Sequence, residues 1–215
     1  GLKIYEIIFK IKTNYIHFAI RSFWRNRKSL IIEIGCHNGD DSILLSSISK
    51  LVEIHAFEPD PRLKNFLYKK FQNIDNITFY PYAVTNLKKP QNFYASRALD
   101  KNFKNTGSSS IIKTKNFIES DSIFIVPTIA LDNIKEFDQA EIFLIWVDVQ
   151  GAENQVINSG ISLFKTAKLL WIEYGESEYE EFLTRRELIN LFAKTHYVSL
   201  FSNRSKKGNL LLVKK

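Results

Sequence analysis

The chain has 215 residues, 45% of them apolar and 13% aromatic, with a formal net charge of +7. That is enough apolar surface for one sizeable core, and it excludes a disordered or fibrous chain. A lone cysteine, Cys36, excludes an intramolecular disulfide and a thiolate-only zinc site, and it suits a reducing, cytoplasmic compartment.

Residues 1–28 read as an amphipathic helical extension. Ile4, Ile8, Ile11, Tyr15 and Phe18 recur at helical spacing, while Lys3, Lys10, Lys12 and Arg21 interrupt every apolar run. The segment is too charged to span a bilayer, and it lacks the unbroken apolar stretch of a signal peptide. It is expected to pack on the domain or on a second subunit. The alternative is an interfacial helix lying on a membrane surface.

The main domain is expected over residues 29–215. Leu30–Ile34 reads as a buried strand, Asp40–Ser49 as a helix and Val52–Phe57 as a second strand. Asp60 is expected to cap a helix with Pro61 at its first position and Leu63, Phe66, Leu67 and Phe71 facing inward. Ile77–Tyr82 is a third strand. Residues 86–141 are less regular, and Lys104–Lys115 reads as a loop suited to covering a site. Phe143–Val147 is another strand, followed by a helix from about Ala152; the strand Leu169–Tyr174 and the helix Arg185–Ala193 come next. Tyr197–Phe201 and Leu210–Val213 flank a turn at Asn203–Gly208 and read as a closing hairpin. Strands alternating with helices predict an α/β domain with a mostly parallel sheet, and the hairpin adds one antiparallel strand at its edge.

Three blocks carry chemistry. In Glu33-Ile34-Gly35-Cys36-His37-Asn38-Gly39 a buried strand enters a glycine-bounded turn. Gly35 permits a tight turn and Gly39 a close backbone approach. The spacing lacks the middle glycine of the dinucleotide fingerprint, so a ligand without a pyrophosphate fits better. In Phe57-Glu58-Pro59, Glu58 ends the second strand, where a carboxylate grips ribose hydroxyls in nucleoside-binding folds. In Val147-Asp148-Val149-Gln150-Gly151-Ala152-Glu153, Asp148 ends an apolar strand and must be paired or face a cleft. Glu33, Glu58, Asp148 and Glu173 all fall near carboxyl ends of strands. An acidic mouth of that kind suits a cationic ligand.

Together with Val126-Pro127-Thr128-Ile129-Ala130-Leu131-Asp132, taken as a segment leading into a helix, these blocks resemble the FkbM-type methyltransferases. The resemblance runs from about Leu30 to Tyr174, and the Val147–Glu153 run is its most specific part. The chain departs from the family just before that run at Ile145 and Trp146, which replace lysine and isoleucine, and within it at Gln150, where glutamate is usual. The resemblance implies a Rossmann-like class I methyltransferase fold with a seven-stranded sheet. It implies transfer of the methyl group of S-adenosylmethionine to a hydroxyl on a sugar, glycan or secondary metabolite. Gly35, Cys36, His37, Asn38 and Gly39 would wrap the cofactor, with Glu33 beneath them and Glu58-Pro59 at the ribose. Tyr82, Ala83 and Val84 would border the adenine, and Ser109 and Ser110 would close from the central loop. Asp148, Glu153, Glu173 and His37 are the candidate bases. Asp148, which also borders the cofactor, is favoured.

No metal ligands are assigned, and a divalent metal is compatible but not indicated. His17, His55 and His196 stand alone, in structural roles. A small-molecule or glycan acceptor is expected, and a nucleic-acid partner is not. Peripheral membrane contact through the first helix and a homodimer are both left open. The competing readings are an inactive methyltransferase-like binding module and another nucleotide-cofactor Rossmann enzyme.

Overall fold

The computed structural model describes residues 20, 23, 24, 26–96, 106–113, 115, 122–175, 179, 181–199 and 207–215. The expected N-terminal helix lies outside these residues except at its end, where Ile20 is fully buried against the domain core. In chain order the elements are β1 (Ser29–Ile34), α1 (Asp40–Ser46), β2 (Val52–Phe57), α2 (Lys64–Phe71), β3 (Ile77–Tyr80), β4 (Ala83–Val84), β5 (Gln91–Tyr94), β6 (Ile123–Val126) and β7 (Thr128–Ile129). They continue with β8 (Ile142–Val147), α3 (Glu153–Asn158), α4 (Ile161–Thr166), β9 (Leu169–Gly175), α5 (Arg185–Phe192), β10 (His196–Val198) and β11 (Lys207–Lys214).

Seven strands form one sheet in the order β10-β11-β9-β8-β1-β2-β3. The five from β9 to β3 are mutually parallel, and β11 runs antiparallel to both β9 and β10. Two small sheets, β4 with β7 and β5 with β6, lie beside it. Successive residues serve opposite faces, as the pleat requires. Ile31, Ile54 and Leu144 pack into one core, and Ile32, Phe57 and Ile145 into the other. Both faces are covered, so β1, β2 and β8 are nearly continuous apolar runs. Each such side chain contributes roughly 1.5–3 kcal/mol on burial.

Three expectations need correction. The antiparallel strand is not the edge: β11 is inserted between β9 and β10, and β10 is outermost. The burial explains it, since Leu210, Leu211 and Leu212 are all buried whereas Tyr197 of β10 is 63% exposed. Asp60 does not cap α2, which begins at Lys64 after Leu63. Its carboxylate accepts instead from the Arg62 backbone N–H and binds the Arg62 guanidinium, a stronger donor set than a bare helix end. The segment after Val126 leads not into an α-helix but into two short 3₁₀ turns, Leu131–Asn133 and Lys135–Phe137. Most of the expected hairpin turn, 203–206, lies outside the described residues. His55 meets the Tyr80 hydroxyl at 2.9 Å and His196 the Ala167 carbonyl at 3.0 Å, both structural roles.

From β1 the chain winds outward to β2 and β3, and from β8 it winds the other way to β9. β1 and β8 are neighbours, so the winding reverses between them and opens a crevice at their carboxyl ends. There the two backbones nearly touch. The Asp148 N–H donates to the Ile34 carbonyl at 3.0 Å, and Gly35 has φ +88°. A Cβ on Gly35 would sit 1.9 Å from the Asp148 carbonyl oxygen. Gly35→Ala is therefore expected to lower the unfolding free energy by roughly 3 kcal/mol or more, measured by chemical denaturation.

Candidate active site

The crevice is a cavity of about 720 Å³, within the range of small-molecule sites. Of the residues expected to hold a cofactor, all except Gly39 border it: Glu33, Gly35, Cys36, His37, Asn38, Glu58, Pro59, Ala83, Ser109, Ser110 and Asp148. Tyr82 and Val84 do so as well. Gly39 has φ +74°, and its missing side chain makes room for Phe71, whose ring would lie 2.4 Å from a Cβ there. Its glycine serves the packing of α2 on the turn.

The first turn is held from below. The N–H groups of Gly35 and Cys36 both donate to the Phe57 carbonyl, at 2.9 and 3.0 Å. The two oxygens of Glu58 accept from the backbone N–H of His37 and of Asp60, each at 2.9 Å. Each oxygen keeps a lone pair for a further donor. Glu33 accepts from the Ser42 hydroxyl at 2.5 Å, and burial pushes the Cys36 thiol up.

The central loop forms a roof. Arg62 donates to the Ser96 carbonyl at 2.8 Å and to Ser109 Oγ at 3.0 Å, while Asp60 holds the same guanidinium at 2.5 Å. Ser110 Oγ donates to the Val149 carbonyl at 3.1 Å. Tyr179 donates to the Ser108 carbonyl at 2.7 Å. The roof is thus tied to the ends of both β2 and β8.

The candidate bases separate. Asp148 borders the main cavity. Glu153 and Glu173 line a small neighbouring hollow with Tyr179 and Lys207. Glu153 accepts from the Gly151 N–H at 3.0 Å, at the start of α3. Glu173 accepts from the Gln150 amide at 2.8 Å and lies 3.9 Å from Lys207. His37 sits in the turn with its pKa lowered by burial, against the pull of Asp60 and Asp148.

The cavity wall carries five acidic side chains, Glu33, Asp40, Asp41, Glu58 and Asp148; its described residues include neither lysine nor arginine. Burial pushes Glu33 up to about 8, and Asp41, Asp148 and Glu58 add to the shift. Glu58 is pushed up to about 7, chiefly by burial and also by Asp60. Asp41 is raised to about 6 by burial and by Asp148. A bound cation would relieve this crowding.

Residues 33–200 match the model of the methyltransferase FkbM domain. The chain belongs to the FkbM methyltransferase family. A curated relative, the 2-O-methyltransferase NoeI of Sinorhizobium fredii (strain NBRC 101917 / NGR234), is 29% identical over 206 residues, covering 92% of this chain and 84% of the relative. Among solved structures, the magnesium protoporphyrin IX methyltransferase of Synechocystis PCC 6803 with bound SAM aligns at TM-score 0.51 and 9% identity, covering 95% of this chain and 78% of that one. An rRNA methylase of Streptococcus thermophilus aligns at TM-score 0.50 and 10% identity, covering 93% and 94%. At such identities these likenesses speak for the fold alone. Among the described residues no acidic, histidine or cysteine cluster could hold a metal ion.

For an FkbM domain the family motifs locate the turn, Glu58 and Asp148, but not Asp41, Arg62 or Tyr179. Asp41 reads as an ordinary acidic residue in a first helical turn, and only the fold turns it toward the crevice. Arg62 and Tyr179 act across long sequence separations that no local pattern records.

Five raised carboxyl groups and three histidines with lowered pKa set opposing pH trends. For Glu33, Asp41, Glu58, Glu153 and Glu173 the folded pKa lies above the unfolded one. Their contribution is full at low pH and is lost as pH rises from about 4 to about 8. His37, His55 and His196 are held neutral, so stability falls as pH drops below 6.5. Above pH 6.5 only the carboxyl trend remains, so the ligand-free protein is expected to lose Tm steadily from pH 6.5 to about 8, followed by calorimetry across that range.

Proposed function

We propose that the chain is an S-adenosylmethionine-dependent O-methyltransferase acting on a hydroxyl of a sugar, glycan or secondary metabolite. One observation carries the reading: a cavity at the switch point walled by carboxylates, its described lining without a lysine or arginine, with the buried Glu58 beside the glycine turn. That wall suits a sulfonium and opposes a phosphate-bearing cofactor. The hydroxyl acceptor is supported by the name of the NoeI relative, a 2-O-methyltransferase.

S-adenosylmethionine supplies a methyl group already activated for transfer. The chain must then bind, orient and deprotonate. Glu58 would accept from the ribose hydroxyls while its backbone N–H bonds fix its orientation. Glu33 and Asp41 would offset positive charge under the turn. Tyr82, Ala83 and Val84 would border the base. Asp148 would accept the proton of the acceptor hydroxyl, and placing that oxygen in line with the methyl supplies much of the acceleration.

The test is calorimetric titration with S-adenosylmethionine and S-adenosylhomocysteine, followed by transfer of labelled methyl to a panel of saccharides. Binding of both compounds and an alkali-stable methyl ether on a sugar oxygen are expected. Failure to bind either, or methylation confined to nitrogen or carbon acceptors, would sink the reading. Glu58→Ala should weaken S-adenosylhomocysteine binding at least about tenfold, about 1.4 kcal/mol. Asp148→Asn should lower kcat by roughly 10²–10⁴, with a smaller change in cofactor affinity.

A further inference from the structure

Gln150 is the departure from the family run that the proposed function leaves unused, and its surroundings are unusual. It follows Asp148 by two residues and adopts φ +56°, left-handed backbone that a residue with a side chain occupies only at a cost of about 1–3 kcal/mol. Its side-chain nitrogen donates to Asp148 Oδ1 at 2.6 Å and to Glu173 Oε2 at 2.8 Å. Both amide hydrogens are thereby engaged, one on each carboxylate. The amide oxygen faces the Tyr179 hydroxyl at 3.5 Å. Gln150 also lies at the wall between two spaces: it borders both the main cavity, with Asp148, and the small hollow, with Glu173.

We infer that Gln150 is a positioning residue, a neutral double donor that locks Asp148 and Glu173 into one unit and aims Asp148 at the acceptor hydroxyl. The inference rests on the methyltransferase reading for its catalytic part only. Asp148 and Glu173 are acids at strand ends that stand side by side, on β8 and β9, and Asp148 helps burial hold the Glu173 carboxyl up at about 8. A carboxamide is the side chain that can donate to both without adding charge. A glutamate there would bring a third acid and at most one hydrogen. In turnover the acceptor oxygen forms its bond to the methyl carbon as the carbon–sulfur bond breaks, and the hydroxyl proton passes to Asp148. The lone pairs of Asp148 that Gln150 leaves open take it.

The titrating surroundings are mixed. Glu33, Asp41 and His37 face Asp148 from β1, α1 and their turn. Glu153 of α3 and Lys207 of β11 face Glu173, and Tyr179 faces Gln150. Glu173 is pushed up to about 8 by burial and then by Asp148. A further carboxyl at position 150 would move these groups higher still, so its destabilising effect must grow with pH.

The experiment compares Tm from pH 5 to pH 8.5 for the wild type, Gln150→Glu, and the exchange Gln150→Glu with Glu173→Gln, which returns the trio to one amide and two carboxyls. For Gln150→Glu the Tm deficit should be under about 2 °C at pH 5, where the new acid is protonated, and about 5 °C or more at pH 8.5. The exchange should recover most of the pH-dependent part. With an acceptor from the saccharide panel, Gln150→Glu should lower kcat about tenfold or more and move the acid limb of its pH profile up by about one unit. A deficit equal at every pH, or an exchange no better than the single variant, overturns the inference. If Gln150→Glu fails to fold above pH 7, an exchange that folds there supports it and one that also fails overturns it. Cofactor titration of the wild type decides the methyltransferase reading separately, so the two failures stay distinct.

Discussion

Two parallel strands end within backbone contact of each other, and the site is built around that meeting. The Ile34 carbonyl takes the Asp148 N–H, and the space a side chain on Gly35 would need is filled by the Asp148 carbonyl. Because β1 and β8 are neighbours whose connections leave in opposite directions, nothing covers their ends from within the sheet. The turn after β1, Glu58 after β2 and Asp148 after β8 therefore converge on one cavity, although Glu33 and Asp148 are far apart in the chain.

Convergence has an electrostatic cost. Strand ends bring carboxylates into a half-dry space, where burial opposes their ionisation and each one opposes the others. Hydrogen bonds offset part of this: backbone N–H groups on both oxygens of Glu58, a hydroxyl on Glu33, an amide shared by Asp148 and Glu173. A protein selected only for stability would place leucines there. The arrangement makes sense for a positively charged ligand, which explains why a chain of net charge +7 keeps an acidic interior mouth.

Much of this was legible in the sequence, for identifiable reasons. β1, β2, β8 and β9 are buried on both faces, so each announces itself as an apolar run with chemistry at its end. The small sheets were hidden. β4 and β7 have two residues each, and Ile125 of β6 is 77% exposed, so neither period nor burial marks them. In the sequence Asp60 suits a helix cap because Pro61 follows it, while the competing donor, Arg62, looks like any surface arginine. Glu173 falls near the right strand end in the sequence, but the division between main cavity and side hollow depends on Gln150 and Tyr179, whose contacts only the fold creates.

Residues 58–62 carry two attachments at once. Glu58 stands at the floor of the cavity, and Arg62, four residues later, ties down Ser96 and Ser109 in its roof. Prolines at 59 and 61 stiffen the span between them, and Asp60 is bound to both of its ends, through its own N–H to Glu58 and through its carboxylate to Arg62. Floor and roof are thus joined by a short rigid bracket rather than by a flexible tether. A displacement of the floor carboxylate is passed directly to the loop above it, so the width of the cavity mouth is geometrically coupled to how its base is engaged.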